Sequence, residues 1–150
     1  MSDKLTIQEW HKKEAVRNFN ETWDLIDKKD RSDDDNLLMI HKAHASRFHW
    51  GEIGTELNFA RGEWQVSRVY ALCNMGESAL YHGLRSLKYC LDNNIGDFDL
   101  AFGYESVARA YKILNDTEQS SKYLALANEA NNLVEDKGNK DYVASELATI

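Results

Sequence analysis

Apolar residues recur along this chain at steps of three and four positions, with polar residues between them. In the first such stretch Val16, Phe19, Trp23 and Ile26 recur at these steps and fall near one face of a helix. No stretch keeps a strict alternation of apolar and polar residues, so the pattern predicts no strands. It predicts about six helices, over residues 6–28, 34 to the glycines at 51 and 54, 56–74, 77–93, 98–114 and 117–135.

Short polar breaks separate these helices, and the chain contains 0 prolines. Short connections place consecutive helices side by side and antiparallel. We therefore predict a single all-α domain of stacked hairpins spanning residues 1–150. It divides into a divergent N-terminal hairpin at 1–58, two repeat-like hairpins at 59–136, and a tail at 137–150 that forms a short helix or stays mobile.

The second and third hairpins repeat one pattern. A shift of 41 positions places Tyr70 on Tyr111 and Arg68 on Arg109. Such self-similarity indicates one supersecondary unit used twice, in which small residues let paired helices approach closely. Further matched pairs are Val66 with Val107, Ser67 with Ala108, Asn74 with Asn115, Glu77 with Glu118, and Ala79 with Ser120.

Two segment pairs carry a resemblance to a known family. They are Ser67-Arg68-Val69-Tyr70 with Glu77-Ser78-Ala79-Leu80, and Ala108-Arg109-Ala110-Tyr111 with Glu118-Gln119-Ser120-Ser121. These strings resemble tetratricopeptide repeats over about residues 60–135. The resemblance implies an α-solenoid, a right-handed superhelix with a concave groove for protein partners. The chain departs from that family in its period of 41 rather than about 34 residues and in its lack of proline.

Three further segments carry a second resemblance. They are Ala43-His44-Ala45-Ser46-Arg47-Phe48-His49-Trp50, Arg61-Gly62-Glu63-Trp64-Gln65-Val66-Ser67-Arg68, and Gly96-Asp97-Phe98-Asp99-Leu100-Ala101-Phe102. Together they resemble an uncharacterised bacterial protein family. This resemblance spans most of the chain and implies no activity.

Charge and composition narrow the classes of partner. The formal net charge is -7, and no third of the chain is basic, so we expect neither nucleic acid nor a membrane as partner. Cys73 and Cys90 lie within apolar helical patterns, which favours two reduced thiols in a cytoplasmic protein. The first ten residues are too polar for a signal peptide.

The first helix of each repeat lines the groove in the family that these hairpins resemble. Arg61, Trp64 and Arg68 lie three and four positions apart, which agrees with one helical face. Arg68 and Arg109 would then present two guanidinium groups to one carboxylate or phosphate. The alternative is that Arg68 pairs with Glu105 or Glu63 and that Trp64 belongs to the core. The predicted partner-binding residues are Arg61, Trp64, Arg68, Glu105, Arg109 and Lys112.

We therefore predict a protein-interaction module without catalysis or cofactor, whose partner is a protein or peptide with an acidic group. A solenoid exposes its ends, so a homodimer is a further possibility. An alternative function comes from His41, His44 and His49 on the second helix. If these imidazoles converge through the fold, they predict a metal- or histidine-dependent enzyme.

Overall fold

The computed structural model describes residues 4–150, which contain seven helices and no strand. Residues 1–3, which the predicted N-terminal hairpin included, lie outside the described residues. The all-α prediction is confirmed, with one helix more than expected, because the predicted tail contains α7. The helices are α1 (Ile7–Ile26), α2 (Asp33–Ile53), α3 (Glu56–Leu72), α4 (Gly76–Asp92), α5 (Asp97–Ile113), α6 (Thr117–Asn132) and α7 (Lys137–Leu147).

Neighbouring helices pack in pairs, α1 with α2, α3 with α4, and α5 with α6, and the pairs stack in chain order. On one side of the stack the odd-numbered helices touch directly, since α1 contacts α3, α3 contacts α5, and α5 contacts α7. Across residues 4–150 the even-numbered helices make no such contacts with one another. The closer spacing of the odd-numbered helices curves the stack toward them, so they line its concave face.

The first two helices, α1 and α2, each begin at a capping box. The side chain of Thr6 accepts from the Glu9 amide at 3.1 Å, and Glu9 accepts from the Thr6 amide at 3.0 Å. This capping box satisfies amides that the first turn of α1 leaves free. Ser32 and Asp35 form the same box at the start of α2.

No helix among the described residues is long and apolar enough to cross a membrane.

The repeat is visible at the ends of α3 and α5. Asn74 and Asn115 hold left-handed backbone conformations with φ of 57° and 64°. In each hairpin the amide of the next residue returns to a tyrosine carbonyl, at 2.9 Å, from Met75 to Tyr70 and from Asp116 to Tyr111. This hydrogen bond closes a Schellman motif, which ends a helix and turns the chain toward the next one.

Each repeat also keeps one buried hydrogen bond between its two helices. Ser67 on α3 donates its hydroxyl to the carbonyl of Ala79 at 2.7 Å. In the next hairpin Ser120 on α6 donates to the carbonyl of Ala108 at 2.9 Å. The serine and alanine have changed places between the repeats, so the contact is kept while its donor moves to the other helix.

Apolar side chains close the stack in two clusters. The first joins α2 to α3 through Met39, Ala43, Val66 and Val69, all buried. The second joins α5 and α6 to α7, and buries Ala101, Ala127, Ala130, Val143 and Leu147. The last helix is therefore seated on the core through Val143 and Leu147.

We expect Asn74→Ala to lower the free energy of unfolding by about 1 kcal/mol, because alanine tolerates the left-handed conformation poorly. Asn74→Gly is the matched control and should leave stability unchanged or raise it, since glycine has no Cβ. Urea unfolding of the two variants checks this. Equal losses for alanine and glycine would show that the asparagine side chain, not the backbone conformation, matters at this turn.

Candidate functional site

The structure brings the predicted residues of α3 and α5 to the concave face. Trp64 donates its indole N–H to Glu105 Oε1 at 3.0 Å, which links the two helices and fixes the tryptophan ring. Arg61 reaches Asp99 of α5 through two hydrogen bonds of 2.9 and 3.0 Å. This bidentate hydrogen bond raises the pKa of Arg61 above its ordinary value.

A pocket of about 130 Å³ opens beside Trp64, and we call it the aromatic pocket. The rings of Trp23 and Trp64 stack with centroids 5.8 Å apart, and Trp64 meets Phe102 edge to face at 5.4 Å. Tyr142 of α7 meets Phe102 at 5.7 Å. Helices α1, α3, α5 and α7 thus all contribute to one pocket. Its aromatic lining is Phe19, Trp23, Trp64, Phe98, Phe102 and Tyr142.

Sequence reasoning did not name four of these residues, Phe19, Trp23, Phe98 and Tyr142, as site residues. Phe19 and Trp23 belong to the apolar stripe of α1 and were expected only to fill the core, while Tyr142 lies in the predicted tail. A helical stripe shows which residues share a face, but it does not show which other helix that face will meet.

Glu105 is 0% exposed, so it lies beneath the concave face, between Trp64 and Arg109. Its Oε2 atom accepts from Arg109 Nε at 2.9 Å and lies 3.8 Å from Arg68 Nη1. One part of the alternative interpretation is therefore observed, because Arg68 pairs with Glu105. Glu63 is not its partner, since that carboxylate binds Arg47 and His82.

The last helix covers part of the predicted binding surface. Glu146 of α7 lies 2.7 Å from Arg68 Nη2. Arg109 Nη2 donates to the backbone carbonyl of Glu146 at 3.1 Å and to the hydroxyl of Thr149 at 2.7 Å. As a result the side chains of Arg68 and Arg109 are only 16% and 15% exposed. We call Arg68, Arg109 and the neighbouring Lys112 the arginine site.

A second, shallower pocket of about 270 Å³ remains open at the arginine site. Lys112 lines it and is exposed. Arg68 lies against it with unused donors, because its Nε and Nη1 atoms are buried and make no hydrogen bond within residues 4–150. The predicted residues thus share one face, where Arg61, Trp64, Arg68, Glu105 and Arg109 are already engaged within the chain.

The three predicted histidines do not converge. His49 pairs with His11 of α1, with their Nδ1 atoms 2.8 Å apart. His44 faces the other way and meets the hydroxyl of Tyr70 at 2.8 Å through Nε2. His41 is exposed. Among residues 4–150 no three histidines, cysteines or carboxylates gather in a group that could hold a metal ion.

His44 belongs to a polar cluster between α2, α3 and α4. His82 Nδ1 lies 2.9 Å from Glu63 Oε1, and Arg47 Nε donates to Glu63 Oε2 at 2.9 Å. Although burial raises the pKa of Glu63, the hydrogen bond from His82 and the charge of Arg47 hold it below its ordinary value. The guanidinium of Arg47 also lies 4.6 Å from the centre of the Phe59 ring. This cluster ties three helices together.

Both cysteines are free thiols, Cys90 buried and Cys73 half-buried. Burial raises the pKa of Cys90 to about 12, so this thiol stays protonated and unreactive at neutral pH. Burial likewise raises the pKa of Cys73.

No family model, curated protein or solved structure matches this chain. The assignment of a function therefore depends on the geometry of the concave face and on the chemistry of the groups that line it.

We expect the melting temperature to fall between pH 7.5 and pH 5.5. Burial lowers the pKa of His44, and the nearby His82 lowers it further. Burial also lowers the pKa of His49, and the nearby His11 adds to this. In the unfolded chain these two histidines become protonated near pH 6.5, whereas the folded chain resists their protonation. The stability that these two residues contribute is therefore complete above about pH 6.5 and is lost as the pH falls below it.

Thermal scans of His44→Gln and His49→Gln across that range check this, and each should flatten the dependence. His41→Gln is the matched control on the same helix and should keep the wild-type slope. The interpretation is wrong if the wild-type melting temperature does not change, or if all three variants flatten it equally.

Proposed function

We propose that this chain is a cytoplasmic helical-repeat module without catalysis, which binds a protein partner along its concave face. The partner inserts an apolar side chain into the aromatic pocket. The observation that carries this proposal is that α1, α3 and α5 together place five aromatic rings around one open cavity, with Tyr142 of α7 beside them. Aromatic residues gathered in a concavity of this kind are typical of recognition sites.

The size of the pocket indicates what it takes. An apolar cavity of roughly 150 Å³ holds one benzene molecule. The aromatic pocket measures about 130 Å³, which suits the ring of phenylalanine or the branched end of leucine. Arg61 and Asp99 also line the pocket, and beyond their mutual hydrogen bonds within residues 4–150 Arg61 keeps its Nη1 donor and Asp99 its remaining lone pairs for the backbone of a bound segment.

One such anchor is not enough for useful affinity. Burying a single leucine or phenylalanine side chain contributes roughly 1.5–3 kcal/mol. A micromolar complex needs about 8 kcal/mol after the cost of association. The partner must therefore contact more of the face than the aromatic pocket, and the neighbouring arginine site is the polar surface available to it.

Selection of peptides from a displayed random library against the full chain tests this function. We expect the selected peptides to share one essential apolar residue and to lose at least tenfold in affinity for Phe98→Ala, which opens one wall of the pocket. Tenfold corresponds to about 1.4 kcal/mol. Phe48→Ala is the matched control, because Phe48 is 61% exposed on α2 and does not line the pocket.

The proposal is wrong if the selected peptides bind Phe98→Ala as tightly as the wild type. It is also wrong if they lose affinity only for Phe48→Ala, which would place the binding surface around Phe48. Calorimetry on peptides with the apolar anchor changed to alanine gives the reciprocal measurement.

A further inference from the structure

The last helix, α7, contacts both the aromatic pocket and the arginine site of the concave face. Tyr142 supplies one wall of the aromatic pocket, and Glu146 pairs with Arg68 at 2.7 Å. These two residues are four positions apart, so they lie on one face of α7 and about one turn from each other. The aromatic pocket and the arginine site are thus spaced to fit an aromatic residue and a carboxylate on the same helix.

Helix α7 leaves part of the aromatic pocket open and, within residues 4–150, part of Arg68 without a hydrogen bond. Tyr142 is 49% exposed, and the aromatic pocket remains open beside it. Arg68 donates through Nη2 alone, while its Nε and Nη1 atoms stay buried without a hydrogen bond in the described part of the chain. A buried donor without an acceptor is unfavourable, so a ligand carboxylate that reached these atoms once α7 was displaced would gain hydrogen bonds that Glu146 does not make.

The charges indicate the chemistry of that ligand. Arg68 and Arg109 lie beside one buried carboxylate, Glu105, and Lys112 is a third cation that lines the adjacent pocket. With Glu146 withdrawn, this surface carries a local excess of two positive charges, although the chain as a whole is acidic at -7. An acidic group is the complement of such a surface.

The attachment of α7 is suited to displacement. It has 11 residues, a length at which an isolated helix is barely stable in water. Its order therefore depends on the burial of Val143 and Leu147 and on the polar contacts of its last turns. The helix contacts only α5 and α6 through its backbone packing, and it lies at the end of the stack.

We propose that the concave face recognises an acidic amphipathic helix of a partner protein, and that α7 is an intramolecular stand-in which this helix displaces. The partner helix carries a bulky apolar residue followed four positions later by aspartate or glutamate. This inference rests on the proposed function, since it names the class of partner that the same face binds. The site is then partly covered by α7 in the free chain, and the partner helix takes the place of α7 in the complex.

The probe is a fluorescein-labelled synthetic peptide with the sequence of residues 137–150, and its binding to the full chain is measured by fluorescence polarisation. Wild-type protein should bind it weakly, because the attached α7 competes at a high effective concentration. The Glu146→Gln protein should bind it at least tenfold more tightly, because its own helix is held less firmly. Glu129→Gln is the matched control, an exposed glutamate on α6, and should behave as wild type.

The same glutamate-to-glutamine change made in the peptide should weaken its binding. A probe in which the residue corresponding to Glu146 is glutamine should bind the Glu146→Gln protein at least tenfold more weakly than the unmodified probe. Added salt should remove most of this difference, because it screens the charges of the arginine site. Since the protein is the same in both titrations, a loss of folding cannot produce the result.

Hydrogen exchange provides a second readout on the free protein. Glu146→Gln should speed exchange of the amides of residues 137–147 and leave those of α3 and α5 unchanged. The inference is overturned if the probe binds both proteins equally, if the probe's carboxylate makes no difference, or if exchange rises throughout the chain. Should the probe fail while the library peptides still require the aromatic pocket, the proposed function stands and only the role of α7 falls.

Discussion

The buried carboxylate of Glu105 is the constraint on which the concave face depends. A charge with 0% exposure is tolerated only if cations and hydrogen-bond donors surround it. Trp64 and Arg109 provide hydrogen bonds of 3.0 and 2.9 Å, and Arg68 adds its charge at 3.8 Å. Removing one partner of such a buried pair costs about 3–5 kcal/mol, so the geometry of α3 against α5 is closely held.

This constraint gives the two repeat-related arginines more than one role. Each neutralises Glu105 from its own helix, and each also contacts α7, Arg68 through Glu146 and Arg109 through Thr149. An arginine has five N–H donors in a planar fork, so one guanidinium can serve both. The contacts with Glu105 therefore hold both guanidinium groups at the arginine site in addition to the contacts that they make with α7.

Much of the fold could be predicted because its determinants are local. Apolar spacing, the Thr6 and Ser32 caps and the matched asparagines 74 and 115 define helices and turns within a few residues of sequence. The last helix was harder to predict, because Gly138 and Asn139 in its first turn suggest a break. It forms nonetheless, since Asp136 accepts from the Asn139 amide at 2.8 Å and Val143 and Leu147 find the core.

The site was predicted only in part, for a physical reason. Residues on α3 and α5 could be placed on one face from their spacing and the resemblance to tetratricopeptide repeats. The groups that complete the site come from the two ends of the chain, Trp23 from α1 and Tyr142 from α7.

The histidines are close in sequence but do not form one site in the structure. His44 and His49 are close in sequence on one helix, yet they pair with different neighbouring helices. Spacing along a helix fixes angles around its axis, whereas a site between helices depends on which faces meet.

The exchange of serine and alanine between the hairpins preserves a contact next to each arginine, since Ser67 precedes Arg68 and Ala108 precedes Arg109. Ser67 bonds Ala79 and Ser120 bonds Ala108, so the same close approach of paired helices is retained with the donor on opposite sides. Arg68 and Arg109 hold equivalent positions in the two repeats, and both lie beside Glu105. The longer period of 41 residues is absorbed outside that contact. The two guanidinium groups can therefore converge on one carboxylate, which a less regular pair of hairpins would separate.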